Sequence, residues 1–253
     1  MGARDGSDAF GPTAGLRRLA AACGAVRQAV AAQDAPIRIQ VTGRSGVGRT
    51  TVAQVLERAG FRDVAETSPI DAPDAPDPVL DGDVVVHVLA VAPRDADIAA
   101  LRRAPRGSTV AILGKADAQG SSWAAAVEAS NACAAETGVR TVPMVGTADD
   151  VEAGAEAVTA AVADCIRVAL ARRTRTLLAT LAAQAARGPE REMIEDYLRS
   201  DEAVQAAARS AAVVTGQASA ESAAERRRAA LAADRAQIRA SVHDGIGAAV
   251  PQW

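Results

Sequence analysis

The chain is 253 residues long, with 28 Lys and Arg against 31 Asp and Glu, a net charge of −3, 49 % apolar residues and 2 % aromatic ones. That balance offers no global basic field for nucleic acid. The spacing of Cys23, Cys133 and Cys165 makes neither a disulfide framework nor a metal-ligand pair, so the expected setting is a reducing cytoplasm. No stretch approaches the roughly 18 apolar residues that a transmembrane helix needs, and the N-terminal residues show no signal-peptide core and miss the myristoylation pattern.

The first predicted element is a helix capped by Thr13 and running to about Ala32, with Leu16, Leu19, Cys23, Val26 and Val30 on one face. Pro36 opens a short strand, which leads into a glycine-framed loop and a helix from Thr50 to about Ala59. Pro69, Pro73, Pro76 and Pro78 make residues 66–82 a loop. The apolar run Asp83–Ala92 reads as a strand buried on both faces, 95–103 as a short helix, and Thr109–Leu113 as a second buried strand ending at Gly114-Lys115-Ala116-Asp117. A helix over 122–136, closed by Gly138, precedes a last strand over 139–145 and then Gly146-Thr147-Ala148. Strands alternating with helices predict a parallel, three-layer α/β sheet.

Beyond Val151 only helices are expected. One carries Val158, Val162, Ile166, Leu170, Leu177 and Leu181, a second Met193, Tyr197, Val204, Ala208 and Ala211, and a third starts at the capping-box pattern Ser222–Glu225. The predicted organisation is an N-terminal helical segment over 1–35, a sheet domain over 36–165 and a C-terminal helical bundle over 166–253.

Chemistry concentrates in Gly43-Arg44-Ser45-Gly46-Val47-Gly48-Arg49-Thr50-Thr51. This matches the phosphate-binding loop G-x-x-x-x-G-K-[ST] at every defined position except Arg49, which stands where lysine is expected. Glycines let successive backbone N–H groups turn inward, and the following helix adds the positive end of its dipole, so the loop is an anion cradle. Together with Gly114–Asp117 and Val145–Ala148, each at the carboxyl end of a strand, it resembles the P-loop GTPases of the translation-factor class, and most closely their Era- and dynamin-like branch. The resemblance covers residues 37 to about 165. It implies a P-loop three-layer sandwich that takes GTP or GDP with Mg²⁺. Thr50 would then ligate the metal, Lys115 and Asp117 would read guanine, and Gly146 and Thr147 would meet the guanine oxygen. It also implies pairing with a protein partner, either a paralogous GTPase or a second copy of the chain.

The departures fall where hydrolysis would occur. Arg49 keeps the charge but is longer and planar, and Gly114 replaces the Asn or Thr that the family uses to brace its base-reading loop. The family's D-x-x-G motif has only two imperfect counterparts, Glu66-Thr-Ser-Pro69 and Asp71-Ala-Pro-Asp74, and Thr67 is the one switch-threonine candidate. The expectation is therefore guanine-nucleotide binding with weak or absent hydrolysis. The alternatives are a non-binding pseudo-GTPase scaffold, and a small-molecule P-loop kinase with Arg172, Arg173 and Arg175 as lid residues.

Several further groups have plainer readings. Asp71, Asp74 and Asp77 suggest a metal site but sit among prolines, as a solvated loop would. His87 reads as a satisfied core residue, and Arg226–Arg228 as an exposed helix face. The stripe Arg167, Arg172, Arg173 and Arg175 leaves peripheral membrane contact as an option that the acidic total disfavours.

Overall fold

The computed structural model describes residues 10–73, 75–119, 122–146, 153–186 and 190–217. They form two compact units, one built on the described residues of Pro36–Ala169 and the other on those of Gly6–Ala35 and Leu170–Trp253. Among the described residues no helix is long and apolar enough to cross a membrane.

The first unit is an α/β layer structure around five strands: β1 (Ile39–Gly43), β2 (Val64–Glu66), β3 (Val84–Leu89), β4 (Thr109–Leu113) and β5 (Thr141–Pro143). All are parallel, in the order β2-β1-β3-β4-β5. Central β3, mostly valine, is buried along its whole length, as a strand covered on both faces must be. Side chains alternate across it. Val84, Val86 and Val88 join Val110 and Ile112 in a core with Val52, Val55 and Leu56 of α3 (Arg49–Arg58) and with Val158, Val162 and Cys165 of α6 (Ala155–Ala185). On the other face Leu89, Ala111 and Leu113 pack with Ala126 and Cys133 of α5 (Trp123–Thr137). Helix α4 (Asp95–Arg103) starts with Asp95 and Asp97 in its first turn and ends with Arg102 and Arg103, which complements its dipole.

The predicted strands and helices of this unit appear with small shifts in their ends, and β2 is an addition. It falls between the helix over 50–59 and the stretch read as loop, overlapping the latter only at Glu66, and it exists because Val64, Ala65 and Glu66 pair with Ile39, Gln40 and Val41 of β1.

In the second unit the single N-terminal helix of the sequence reading is two, α1 (Ala14–Ala22) and α2 (Gly24–Asp34). The break is at Cys23, whose backbone leaves helical angles (φ −122°, ψ 107°) although its N–H still bonds Leu19 O at 2.8 Å. Likewise, the helix predicted to carry both Tyr197 and Val204 divides at Ser200 into α7 (Arg191–Arg199) and α8 (Asp201–Gln217). Leu16, Leu19, Cys23, Val26 and Val30 share one core with Leu177, Leu181, Ile194 and Tyr197, so the apolar stripe keeps its register across the Cys23 break. Thr13 accepts Leu16 N–H at 3.3 Å as the cap of α1. Thr13→Ala should cost about 1 kcal/mol, read as a small fall in the denaturant midpoint. The third predicted helix of this region, from Ser222, lies outside the described residues.

Candidate functional site

The sheet order places a topological switch beside β1: the chain leaves β1 for β2 on one side and then crosses to β3 on the other. In open parallel sheets the crevice beyond the carboxyl ends of such strands is where ligands bind. The glycine loop leaves β1 at this point. Gly43 has φ 149°, and a Cβ there would lie 2.5 Å from Val88 O, so close strand packing demands glycine. Gly46 (φ 70°) and Gly48 (φ 100°) would meet nothing within 4 Å, and their requirement is conformational. Buried Val47 pins the loop's middle, and α3 begins at Arg49 without a side-chain cap. Thr50 and Thr51 lie in its first turn, where four N–H groups lack intrahelical partners.

Arg49 and Thr50 turn toward the end of β2 and the residue after it. Thr50 Oγ1 donates to Glu66 Oε2 at 2.9 Å, and Arg49 Nη2 lies 3.3 Å from Glu66 Oε1. Arg49 also donates to the carbonyl of Thr67. Thr67 N–H bonds Val41 O at 3.0 Å, its hydroxyl lies 3.0 Å from that of Thr42, and Ile70 N–H bonds Gly43 O at 3.2 Å. At the loop's other end Ser45 N–H donates to Asp71 Oδ1 at 2.8 Å. Of the two acidic candidates, Glu66 therefore sits at the end of the strand next to β1, against the hydroxyl expected to hold a metal, while Asp71 meets the loop's backbone.

The base-reading candidates follow β4. Lys115 and Asp117 are exposed, Asp117 in a 3-10 turn over Ala116–Gln119. Gly114 N–H bonds Leu89 O at 2.7 Å, and a Cβ at 114 would stand 3.1 Å from Val47 O. Glycine at this position lets the loop after β4 close directly on the glycine loop, where a larger residue would have to brace it from farther away. Buried Ala116 bonds Met144 O at 3.3 Å, which ties in the end of β5. Gly146 (φ 127°) follows, while Thr147 lies outside the described residues. Arg172, Arg173 and Arg175 lie on the part of α6 that belongs to the second unit.

One cluster escaped the sequence reading. Arg44 Nε donates to Asp97 Oδ2 at 2.9 Å, and His87 Nε2 lies 2.9 Å from Asp97 Oδ1. All three residues are buried. Asp97 also accepts the Arg94 N–H at 2.9 Å, the backbone half of the α4 cap. Burial pushes the Asp97 carboxyl up, but bonds from His87 and the Arg94 N–H, with the charges of His87 and Arg44, more than offset this and hold it below the usual carboxylate range. His87 is thus a bonded core residue at Nε2, as expected, whereas its Nδ1 and Arg44 Nη2 are buried without a hydrogen-bond partner. The cluster ties the residue after Gly43 to α4 across β3.

Among the described residues no three His, Cys, Asp or Glu side chains are placed to hold a metal ion. Asp77 pairs with Arg103 at 2.6 Å, and Asp74 lies outside the described residues. Compared with known proteins, the chain matches no family model, no curated protein and no solved structure.

Proposed function

We propose that the first unit is a guanine-nucleotide-binding, GTPase-like P-loop domain that hydrolyses its ligand weakly or not at all and acts through a protein partner. The observation that carries this reading is the pair Thr50 Oγ1–Glu66 Oε2, 2.9 Å apart, joining the first turn of α3 to the end of the strand beside β1. A hydroxyl and a carboxylate at the mouth of an anion cradle are hard oxygen donors that suit Mg²⁺. Bound there, the ion would neutralise phosphate charge. Thr50 and Glu66 would hold it, and the amides of Gly46, Val47 and Gly48 would orient the phosphates. Lys115 and Asp117, one loop away across Gly114, would take the base.

Weak turnover follows from the Glu66–Pro69 stretch. If it stands where the GTPase family has D-x-x-G, Pro69 has no N–H with which to sense a terminal phosphate. Cys23, Cys133 and Cys165 are buried thiols outside any disulfide, which suits a reducing cytoplasm.

Titration with labelled GDP, GTP and ATP, with and without Mg²⁺, tests the reading. Guanine preference with negligible phosphate release is expected, and Arg49→Lys should tighten GTP binding by roughly tenfold by freeing a compact charge from the Glu66 contact. Preference for ATP, or brisk multiple turnover, contradicts it. A second reading, a scaffold that binds no nucleotide and pairs with an active paralogue, is favoured by the occupation of Ser45 N–H, Arg49 and Thr50 by the chain's own groups. It predicts no binding together with stable co-purification of that partner.

A further inference from the structure

We infer that Asp71 is a specificity-determining residue of the glycine loop: its carboxylate acts as an internal anion on the Ser45 N–H, so the site takes a nucleoside diphosphate in preference to a triphosphate. The inference rests on the nucleotide-binding reading above and says which phosphate chain that site accepts.

Carboxylate and phosphate oxygens compete for the same backbone donors. Asp71 Oδ1 already holds the Ser45 N–H at 2.8 Å. It is held there by its neighbours. Ile70, one residue earlier, is buried and bonds Gly43 O, and Thr67 N–H bonds Val41 O. Between them Pro69 restricts the backbone. Residues 66–71 thus form a strap fastened along β1 and the loop, with Glu66 at the Thr50 end and Asp71 at the Ser45 end.

The order of strands supplies the direction. The candidate base-reading residues Lys115 and Asp117 follow β4, whereas the strap follows β2, on the other side of β1. A nucleotide whose base lies by β4 and β5 runs its phosphates toward β2, and its last phosphate is the group that meets Asp71. The middle amides, of Gly46, Val47 and Gly48, remain for the inner phosphates. A third phosphate must displace the Asp71 carboxylate from Ser45 or stand against its charge.

The test is titration of the full chain with labelled GDP and with a nonhydrolysable GTP analogue, in wild type, Asp71→Asn and Asp71→Ser. Far-UV circular dichroism establishes that each variant is folded, and the exposure of Asp71 makes unfolding unexpected. Wild type should bind GDP more tightly than the analogue. Removing the charge should tighten analogue binding by roughly tenfold, the effect of one unit charge at close range in a partly screened site. GDP binding should change by less than about threefold. Wild type that binds neither nucleotide while Asp71→Asn binds the analogue would overturn the diphosphate preference, because Asp71 would then exclude both nucleotides. GDP binding that persists with no change in discrimination sinks the inference and leaves the nucleotide-binding reading standing. If neither wild type nor either variant binds either nucleotide, both fail.

Discussion

Asp97→Ala is expected to destabilise the first unit by roughly 3–5 kcal/mol, the usual cost of removing one partner from a buried charged pair. The size follows from what is left behind. Arg44 is 8 % exposed and His87 0 %, and each already has one buried polar atom without a partner, so neither can turn to water or to a substitute. The substitution also frees the Arg94 N–H at the start of α4. Asp97→Asn keeps the shape and one acceptor oxygen and should cost less. The urea midpoint followed by circular dichroism measures both, and a loss below about 0.5 kcal/mol for Asp97→Ala would refute the account. The pH dependence has a definite sign. The folded-state carboxyl lies below its ordinary value, so its stabilisation is fully present above the unfolded value and is lost as pH falls through the folded one. Wild type should therefore hold its midpoint down to about pH 4 and weaken below it. Asp97→Asn should lose this component of the acid dependence.

How much was legible in the residues depended on whether the cause was local. β3 and β4 announce themselves because a strand covered on both faces needs a mostly apolar run, and Val84–Leu89, interrupted by His87, and Thr109–Leu113 supply one. The glycine loop is legible for a similar reason: its backbone angles are required at Gly46 and Gly48 whatever surrounds them. β2 is three residues at an edge, with only Val64 partly covered, and its strand character comes from β1 rather than from its own pattern. The choice of Glu66 over Asp71 as the partner of Thr50 follows from that pairing, so it was equally invisible. The break at Cys23 is hidden because the apolar stripe passes through it. At Ser200 a signal existed: its Oγ accepts the Ala203 N–H at 3.4 Å, and Ser-Asp-Glu is a common way to begin a helix. The Arg44–Asp97–His87 cluster joins a loop, a helix and a strand up to 53 residues apart, and no spacing rule reaches it.

Gly43→Ala should be the most damaging small substitution in the glycine loop, and Gly46→Ala provides its control. The added methyl at 43 would sit 2.5 Å from Val88 O and 3.1 Å from Val47 Cγ2. The first contact is backbone of the central strand, paired with β1 and β4, so it cannot give way without breaking a ladder. The second belongs to the side chain that pins the loop. A positive φ on a residue with a Cβ adds about 1–3 kcal/mol, and forcing the methyl into a packed region adds a similar amount. At Gly46 the methyl would meet nothing within 4 Å, so only the conformational cost of about 1–2 kcal/mol remains. Gly43→Ala should accordingly lower the denaturant midpoint more than Gly46→Ala does, and backbone hydrogen exchange should rise in β1 and β3 for the first variant alone. The same spreading of β1 from β3 widens the crevice beyond their carboxyl ends, so any anion affinity should fall more for Gly43→Ala. Equal losses in the two variants would mean that the close approach of Gly43 to Val88 is not what sets the loop's shape.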